Sequence, residues 1–147
     1  MTDHDTSPSD LTRAEVRAWF DTLQRCVRAV DYATARHIFD PNVVSFGTRA
    51  AIVQGLDTLQ AEQWSGVWPM IADFAFDLDQ IEAGGTDDTV WAVVTWTSTG
   101  FHEDGTSFPR PGRATVTVAP RNGSLLATHT HFSLAPGTPP RSYGRRS

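Results

Sequence analysis

The pattern of apolar residues changes once along this chain, near residue 70. Before that point, apolar side chains recur at the three- and four-residue spacing of amphipathic helices. Beyond it, apolar and polar residues alternate, which is typical of strands with one buried face. Helices that precede a block of strands predict an α+β fold and argue against a parallel sheet with alternating helices. We therefore expect an antiparallel sheet packed on three N-terminal helices.

The first half of the chain contains the predicted helices. The first has apolar residues at helical spacing from Val16 to Val30, with Cys26 as a small core residue on the same face. The second ends before Asp40-Pro41, because a residue that precedes proline avoids helical geometry. The third is closed by Pro69. These helices are predicted at residues 13–29, 31–39 and 56–68, with a small hairpin over residues 43–53.

Four longer strands are predicted in the second half. Two of them are joined by Asn122-Gly123, the strongest hairpin signal in the chain, so they should pair as antiparallel neighbours. The cluster at residues 84–88 and the pair Asp104-Gly105 mark the other turns. The strands are predicted at residues 74–82, 90–101, 113–118 and 125–134.

Length and charge limit the classes of function. The 147 residues fit one domain, which we place at residues 12–136, between a disordered lead-in at residues 1–11 and a tail at residues 137–147. The net charge of −5 argues against nucleic acid or membrane partners. All twelve basic residues are arginines, which excludes chemistry on a lysine amine. A single cysteine forms no internal disulfide, and neither a transmembrane stretch nor a secretory signal is evident, so we expect a cytoplasmic protein.

The last two strands carry a family resemblance. The sequences GRATVTV at residues 112–118 and ATHTHFSL at residues 127–134, with FDPNVV at residues 39–44, resemble the nuclear transport factor 2-like superfamily. The similarity is to its SnoaL-like and ketosteroid-isomerase-like branch and to the association domain of calcium/calmodulin-dependent kinase II. The resemblance implies a cone-shaped curved sheet around a helix, with a pocket at the mouth of the cone and frequent pairing of sheets in dimers.

Two histidines on one strand are candidate catalytic residues. His129 and His131 are two positions apart and therefore share a face with Ser133. Imidazole titrates near neutral pH, so either side chain suits acid–base work. The pair also suits half of a metal site, a structural hydrogen bond or a polar pocket wall. No third ligand has a diagnostic spacing, so we expect no metal and no cofactor.

Arg113 is the candidate anion-binding residue. It opens the strand that Asn122-Gly123 pairs with the histidine strand, so Arg113 should lie near residues 129–133. A guanidinium that faces the cone must meet an anion, and the kinase resemblance implies that such a pocket arginine binds small carboxylates. The resemblance also places the histidine face inside the cone, so we expect Arg113 and His131 to share one cavity. The alternative is a solvated arginine at a strand end.

Aromatic residues and one carboxylate complete the candidate site. Trp64 and Trp68 are one helical turn apart and share a face, and with Trp96 they could enclose an apolar ligand, although core packing is the simpler explanation for each. Asp40 is a candidate acid, although Asp40-Pro41 also marks a helix end. The first helix carries no tyrosine, which argues against steroid isomerisation.

Two functions are consistent with these features. The first is a pocket that binds a small organic molecule, such as a carboxylate, and acts on it by acid–base chemistry as an isomerase, cyclase or dehydratase without a cofactor. The second is a non-catalytic association module. Both include a homodimer through the sheet face, because residues 90–94 are apolar on both faces of their strand.

Overall fold

The computed structural model describes residues 10–145 and contains one mixed sheet with helices on one side of it. Helix α1 (Asp10–Ala29) and helix α2 (Tyr32–Arg36) precede the sheet. A third helical segment, α3, covers residues 56–70 and changes geometry along its length. It is α-helical at Leu56–Leu59, π-helical at Gln60–Trp64, α-helical at Ser65–Val67 and 3₁₀-helical at Trp68–Met70. The predicted α+β architecture is confirmed.

The strands lie in the order β2-β1-β8-β7-β5-β3, with β4 and β6 also paired to β5. Every pairing is antiparallel except that of β1 with β8, which is parallel because the helical segments separate β1 from the meander. The strands are β1 (Phe39–Phe46), β2 (Ile52–Gln54), β3 (Ala72–Phe76), β4 (Glu82–Gly85), β5 (Val90–Phe101), β6 (Ser107–Pro109), β7 (Gly112–Arg121) and β8 (Ser124–Leu134).

Most predicted elements are confirmed, with shifted boundaries. The predicted strand at residues 74–82 is wrong as one element, because a turn closed by Gln80 N–H donating to Asp77 O divides it into β3 and β4. The short strand β6 was not predicted. The lead-in predicted for residues 1–11 lies almost entirely outside the described residues, and α1 begins at Asp10, three residues before its predicted start.

The core lies between α1 and the inner face of the sheet. Strand β5 alternates strictly from Val90 to Ser98, with every second side chain buried. On α1, the buried residues recur three and four positions apart, and they include Cys26, as predicted. Trp19 ties this helix to the segment before β1, since its Nε1–H donates to Ile38 O at 2.8 Å. The buried residues of α1 are Val16, Trp19, Phe20, Leu23, Cys26 and Val27.

No described helix is both long enough and apolar enough to cross a membrane.

Close packing at Gly112 generates a stability prediction. A methyl group at this position would overlap the Trp96 ring and the backbone carbonyl oxygen of Ser133. The backbone atom cannot rotate away, so we expect Gly112→Ala to lower the free energy of unfolding by about 1–3 kcal/mol. Glu62→Ala, at an exposed position of α3, should change it by less than about 0.5 kcal/mol. Urea denaturation measures both variants, and equal effects would contradict the packing argument.

Candidate functional site

A narrow cavity of about 50 Å³ lies between α3 and the inner face of the sheet. Its wall is mainly aromatic and aliphatic, and Trp64 and Trp68 stack in it with ring centroids 4.6 Å apart. The shared face predicted for these two residues is therefore confirmed, and Trp96 also lines the cavity. The polar side chains in the wall are those of Thr48, Gln63, Arg110 and Thr130.

Arg110 reaches the interior through a break in the sheet. Strands β6 and β7 both pair with β5 on the same side, and residues 110–111 separate them. The backbone is held at this break from both directions. Arg110 N–H donates to Ser98 O at 2.9 Å, and the Ser98 hydroxyl donates to Arg110 O at 2.8 Å. The break therefore places one arginine inside a sheet face that is otherwise apolar or hydroxyl-bearing.

The guanidinium of Arg110 is buried without a carboxylate. The residue is 4% exposed, and no described acidic group forms an ion pair with it. Nη2 donates to Thr48 Oγ1 at 3.1 Å, and Nη1 lies 3.4 Å from Ser98 Oγ. The Nε–H has no hydrogen-bond partner among the described residues. Burial lowers the pKa of Arg110 to about 10, so the group still carries its charge at neutral pH.

The loop between β1 and β2 is oriented by a buried glutamine. Gln63, in the π-helical turn, accepts hydrogen bonds at Oε1 from the N–H groups of Arg49 and Ala50, at 3.0 and 2.7 Å. Its Nε2 donates to Thr48 Oγ1 at 3.1 Å. The Thr48 oxygen thus accepts from both Gln63 and Arg110, which leaves the hydroxyl proton free to donate elsewhere.

Trp96 contributes a second unused donor. Its Nε1–H is buried and has no hydrogen-bond partner among the described residues. The Arg110 guanidinium carbon lies 5.4 Å from the centroid of the Trp96 ring. Arg110, Trp96 and Thr48 therefore line the same cavity, and all three carry N–H or O–H donors. Such a surface is complementary to an anion that only accepts hydrogen bonds.

The expected placement of Arg113 inside the cone is corrected by the structure. Arg113 pairs with Ser133, and Thr115 pairs with His131, so the predicted proximity of Arg113 to the histidine strand is present. These side chains point to the exposed outer face, where a shallow groove of about 380 Å³ runs between them and Glu82. The physical reason is that Ala114 and Val116, which alternate with Arg113, occupy the buried face. A ligand-binding role for Arg113 and Ser133 stays a prediction.

The three candidate catalytic residues also lie away from the inner cavity. His129 donates from Nδ1 to Val44 O at 2.8 Å, since a carbonyl oxygen only accepts. His131 is exposed and packs on Phe46, with ring centroids 5.1 Å apart. Asp40 accepts from Asn42 N–H at 2.8 Å and lies 3.5 Å from Arg121. The structure does not bring Asp40 together with either histidine, and their catalytic roles stay predictions.

Metal-binding side chains do not cluster in the part of the chain that the structure describes. No group of three or more histidine, cysteine or acidic side chains there could hold an ion.

Arg110 has no recognisable functional signal in the sequence, and the local pattern explains why. Arg110 lies between Pro109 and Pro111, where neither strand alternation nor helical spacing applies. The sequence Pro-Arg-Pro signals irregular backbone, and only the tertiary structure shows that the side chain turns inward.

Comparisons with solved structures place this architecture. No protein-family model and no curated protein sequence matches the chain. One similar structure is a nuclear transport factor 2-like superfamily protein from Salmonella enterica serovar Typhimurium LT2. The similarity covers 90% of this chain and 96% of that protein, with a TM-score of 0.75 and 15% identity. A nuclear transport factor 2-like protein from Pseudomonas putida KT2440 is similar over 85% and 87%, with a TM-score of 0.70 and 22% identity.

The association domain of CaMKII from C. elegans is also similar. It matches 84% of this chain and 95% of its own, with a TM-score of 0.66 and 10% identity. At such identities the similarity is one of fold, and it agrees with the resemblance seen in the sequence. The chain adopts the nuclear transport factor 2-like fold.

Proposed function

We propose that this protein binds a small organic carboxylate in the cone, with the Arg110 guanidinium as the anion-binding group. The observation that carries the proposal is a 4% exposed guanidinium with no carboxylate partner and an unpaired Nε–H. A buried charge without a counter-charge is unfavourable by several kcal/mol even after relaxation. An anionic ligand would supply the missing charge, and the apolar wall would take its hydrocarbon part.

The cavity favours a binding role over acid–base catalysis. General acid–base chemistry needs a group that changes protonation near the working pH. The described residues that line the inner cavity include neither a histidine nor a carboxylate. Arg110, with a pKa of about 10, stays protonated at neutral pH and acts as a donor. An isomerase, cyclase or dehydratase reaction at this cavity would therefore require an acid–base group from elsewhere, such as the ligand itself.

Binding of butyrate tests the proposal directly. Butyrate is small enough for a narrow cavity. Its carboxylate should shift the indole N–H resonance of Trp96 in an NMR titration, because the Trp96 ring lines the cavity beside the Arg110 guanidinium. We expect Arg110→Met to weaken butyrate binding at least about tenfold, since a charge-assisted pair in a desolvated site is lost. Trp96→Phe assigns the resonance.

Arg113→Met is the matched control, because it removes the same charge from the outer face. It should leave the butyrate affinity within about twofold, since exposed charges contribute little at a distance. The proposal fails if Arg113→Met weakens binding and Arg110→Met does not, an outcome that would favour the outer groove.

A stability measurement probes the same charge without any ligand. In the free protein, Arg110→Met removes an unpaired buried cation and keeps an apolar side chain of similar length. We expect the free energy of unfolding to stay the same or to rise by up to about 3 kcal/mol. The measurement is chemical denaturation at neutral pH. Destabilisation by more than about 1 kcal/mol would mean that the bonds to Ser98 and Thr48 outweigh the desolvation of the guanidinium.

A specific observation favours a second function, self-association through the outer face of the sheet. Paired residues on neighbouring strands form one row of side chains across that face, and the row contains exposed apolar residues. Its members are Ile52, Phe46, His131, Thr115 and Val93. Phe46 is 41% exposed, Ile52 60% and Val93 36%, and Trp91 in the next row is 46% exposed. Such a concentration of apolar surface on one face is typical of an interface. We propose that a second copy of this chain covers it.

Introducing a charge into the outer face tests the dimer. We expect the protein to be a dimer at micromolar concentration and Val93→Glu to be a monomer, because the partner would desolvate an unpaired carboxylate. Ala18→Glu adds the same charge on the exposed side of α1 and should leave the dimer intact. Light scattering distinguishes the two states, and a monomeric unmodified protein would contradict this proposal while leaving the cavity proposal unaffected.

A further inference from the structure

A second, open cavity of about 310 Å³ adjoins the inner one at the mouth of the cone. The two spaces share Thr48, Val67, Ile71 and Arg110 in their walls. Arg110 therefore lies at the neck between an aromatic interior and an outer vestibule. We use the name vestibule for this outer cavity. The β1–β2 loop, α3 and the C-terminal segment at residues 140–142 line it.

Two more arginines line the vestibule, and none of the described acidic side chains does. Arg49 belongs to the β1–β2 loop and Arg141 to the C-terminal segment. Neither has an ion pair among the described residues. Three arginines thus line one opening of a protein whose net charge is −5. A local positive field on an acidic protein attracts anions to that opening.

Arg49 contacts α3 through its backbone and through its exposed side chain. Its backbone N–H donates to Gln63 Oε1 at 3.0 Å. Its side chain lies over Gly66 of α3, where an added Cβ would come within 2.7 Å of the Arg49 Nε. The absence of a side chain at Gly66 is what lets the guanidinium lie against the helix.

Hydrogen bonds of the two residues that follow Arg141 hold the C-terminal segment against α3 and β5. Ser142 Oγ donates to Met70 O at 2.5 Å and accepts from Phe101 N–H at 2.9 Å. Tyr143 N–H donates to Phe101 O at 2.8 Å. The Arg141 guanidinium carbon lies 4.5 Å from the centroid of the Tyr143 ring, a cation–π arrangement. The segment thus places Arg141 in the wall of the vestibule.

We infer that the ligand of this site is a short-chain dianion, with a small apolar group for the interior and a doubly charged head for the neck and vestibule. The inference rests on the proposed binding of a carboxylate at Arg110 and adds the identity of its outer end. One negative charge pairs with Arg110, which is desolvated. The second lies toward Arg49 and Arg141, which a monocarboxylate would leave facing water.

A matched pair of probes tests the second charge. Ethylmalonate is butyrate with one additional carboxylate on the α-carbon, and both of its carboxylates are ionised at about pH 8. We expect it to bind about tenfold more tightly than butyrate at low ionic strength, with a steeper loss of affinity on addition of salt. Isothermal titration and the Trp96 indole resonance give the two affinities.

Removal of the two outer charges of the vestibule provides the second part of the test. The double variant Arg49→Gln/Arg141→Gln should reduce the affinity ratio of ethylmalonate to butyrate to about one. Arg25→Gln/Arg28→Gln removes the same net charge from exposed positions on α1 and should leave the ratio unchanged. Far-UV circular dichroism checks that both double variants are folded.

Propyl phosphate, titrated in parallel, carries both charges on one group. Tighter binding of either dianion than of butyrate, lost in Arg49→Gln/Arg141→Gln, supports the inference, and the stronger dianion identifies the head group. If neither dianion exceeds butyrate, or if the ratio survives in that double variant, the inference is overturned while carboxylate binding at Arg110 stands. If butyrate and both dianions all fail to bind, the proposed function itself is overturned.

Discussion

The antiparallel pairing of β7 with β8 determines which side chains the two faces of the sheet display. Once Thr115 lies opposite His131, alternation places Ala114, Val116 and Thr130 on the buried face and sends both histidines outward. A slip by one residue would bury Arg113 and expose Val116. The tight turn at Asn122-Gly123, where both residues have positive φ, sets the pairing as far as Val118 with Ala127. An irregularity at Thr128 then shifts the register by one residue, so that Thr117 pairs with His129, and this shift separates an aromatic interior from a polar outer groove.

Within that interior, the buried charge of Arg110 lowers the stability of the free protein and favours the binding of an anion. Most buried charges in proteins are paired, because an isolated ion loses its hydration without compensation. Here the compensation consists of two hydroxyl groups and the face of an indole ring, and the Nε–H is left over. The arrangement is explained if an anion completes the site, because the bound anion would then compensate the unfavourable desolvation of the guanidinium. The π-helical turn contributes by placing Gln63 where it orients the Thr48 hydroxyl.

The sequence was sufficient for the elements and insufficient for the site. Helical spacing in α1 and alternation in β5, β7 and β8 located these elements to within a few residues, because each has a continuous apolar face. Family resemblance predicts that the histidine face lies inside the cone, whereas Ala114 and Val116, which alternate with Arg113, occupy the buried face. Arg110 lies in a break of the sheet between two prolines, where no periodic signal exists, so its inward direction depends on contacts with Ser98 and Thr48 that are distant in sequence.

The parallel pairing of β1 with β8 has a consequence for how the chain folds. Ser45 and Thr130 are 85 residues apart, and their hydroxyl groups meet at 2.6 Å in the buried face. Strand β1 therefore has no partner on that edge until the last strand has been synthesised, and the interior stays open to water in the meantime. Contacts of such long sequence separation slow folding, because loop closure precedes the gain from pairing. During translation the nascent protein should expose its aromatic interior until β8 has emerged.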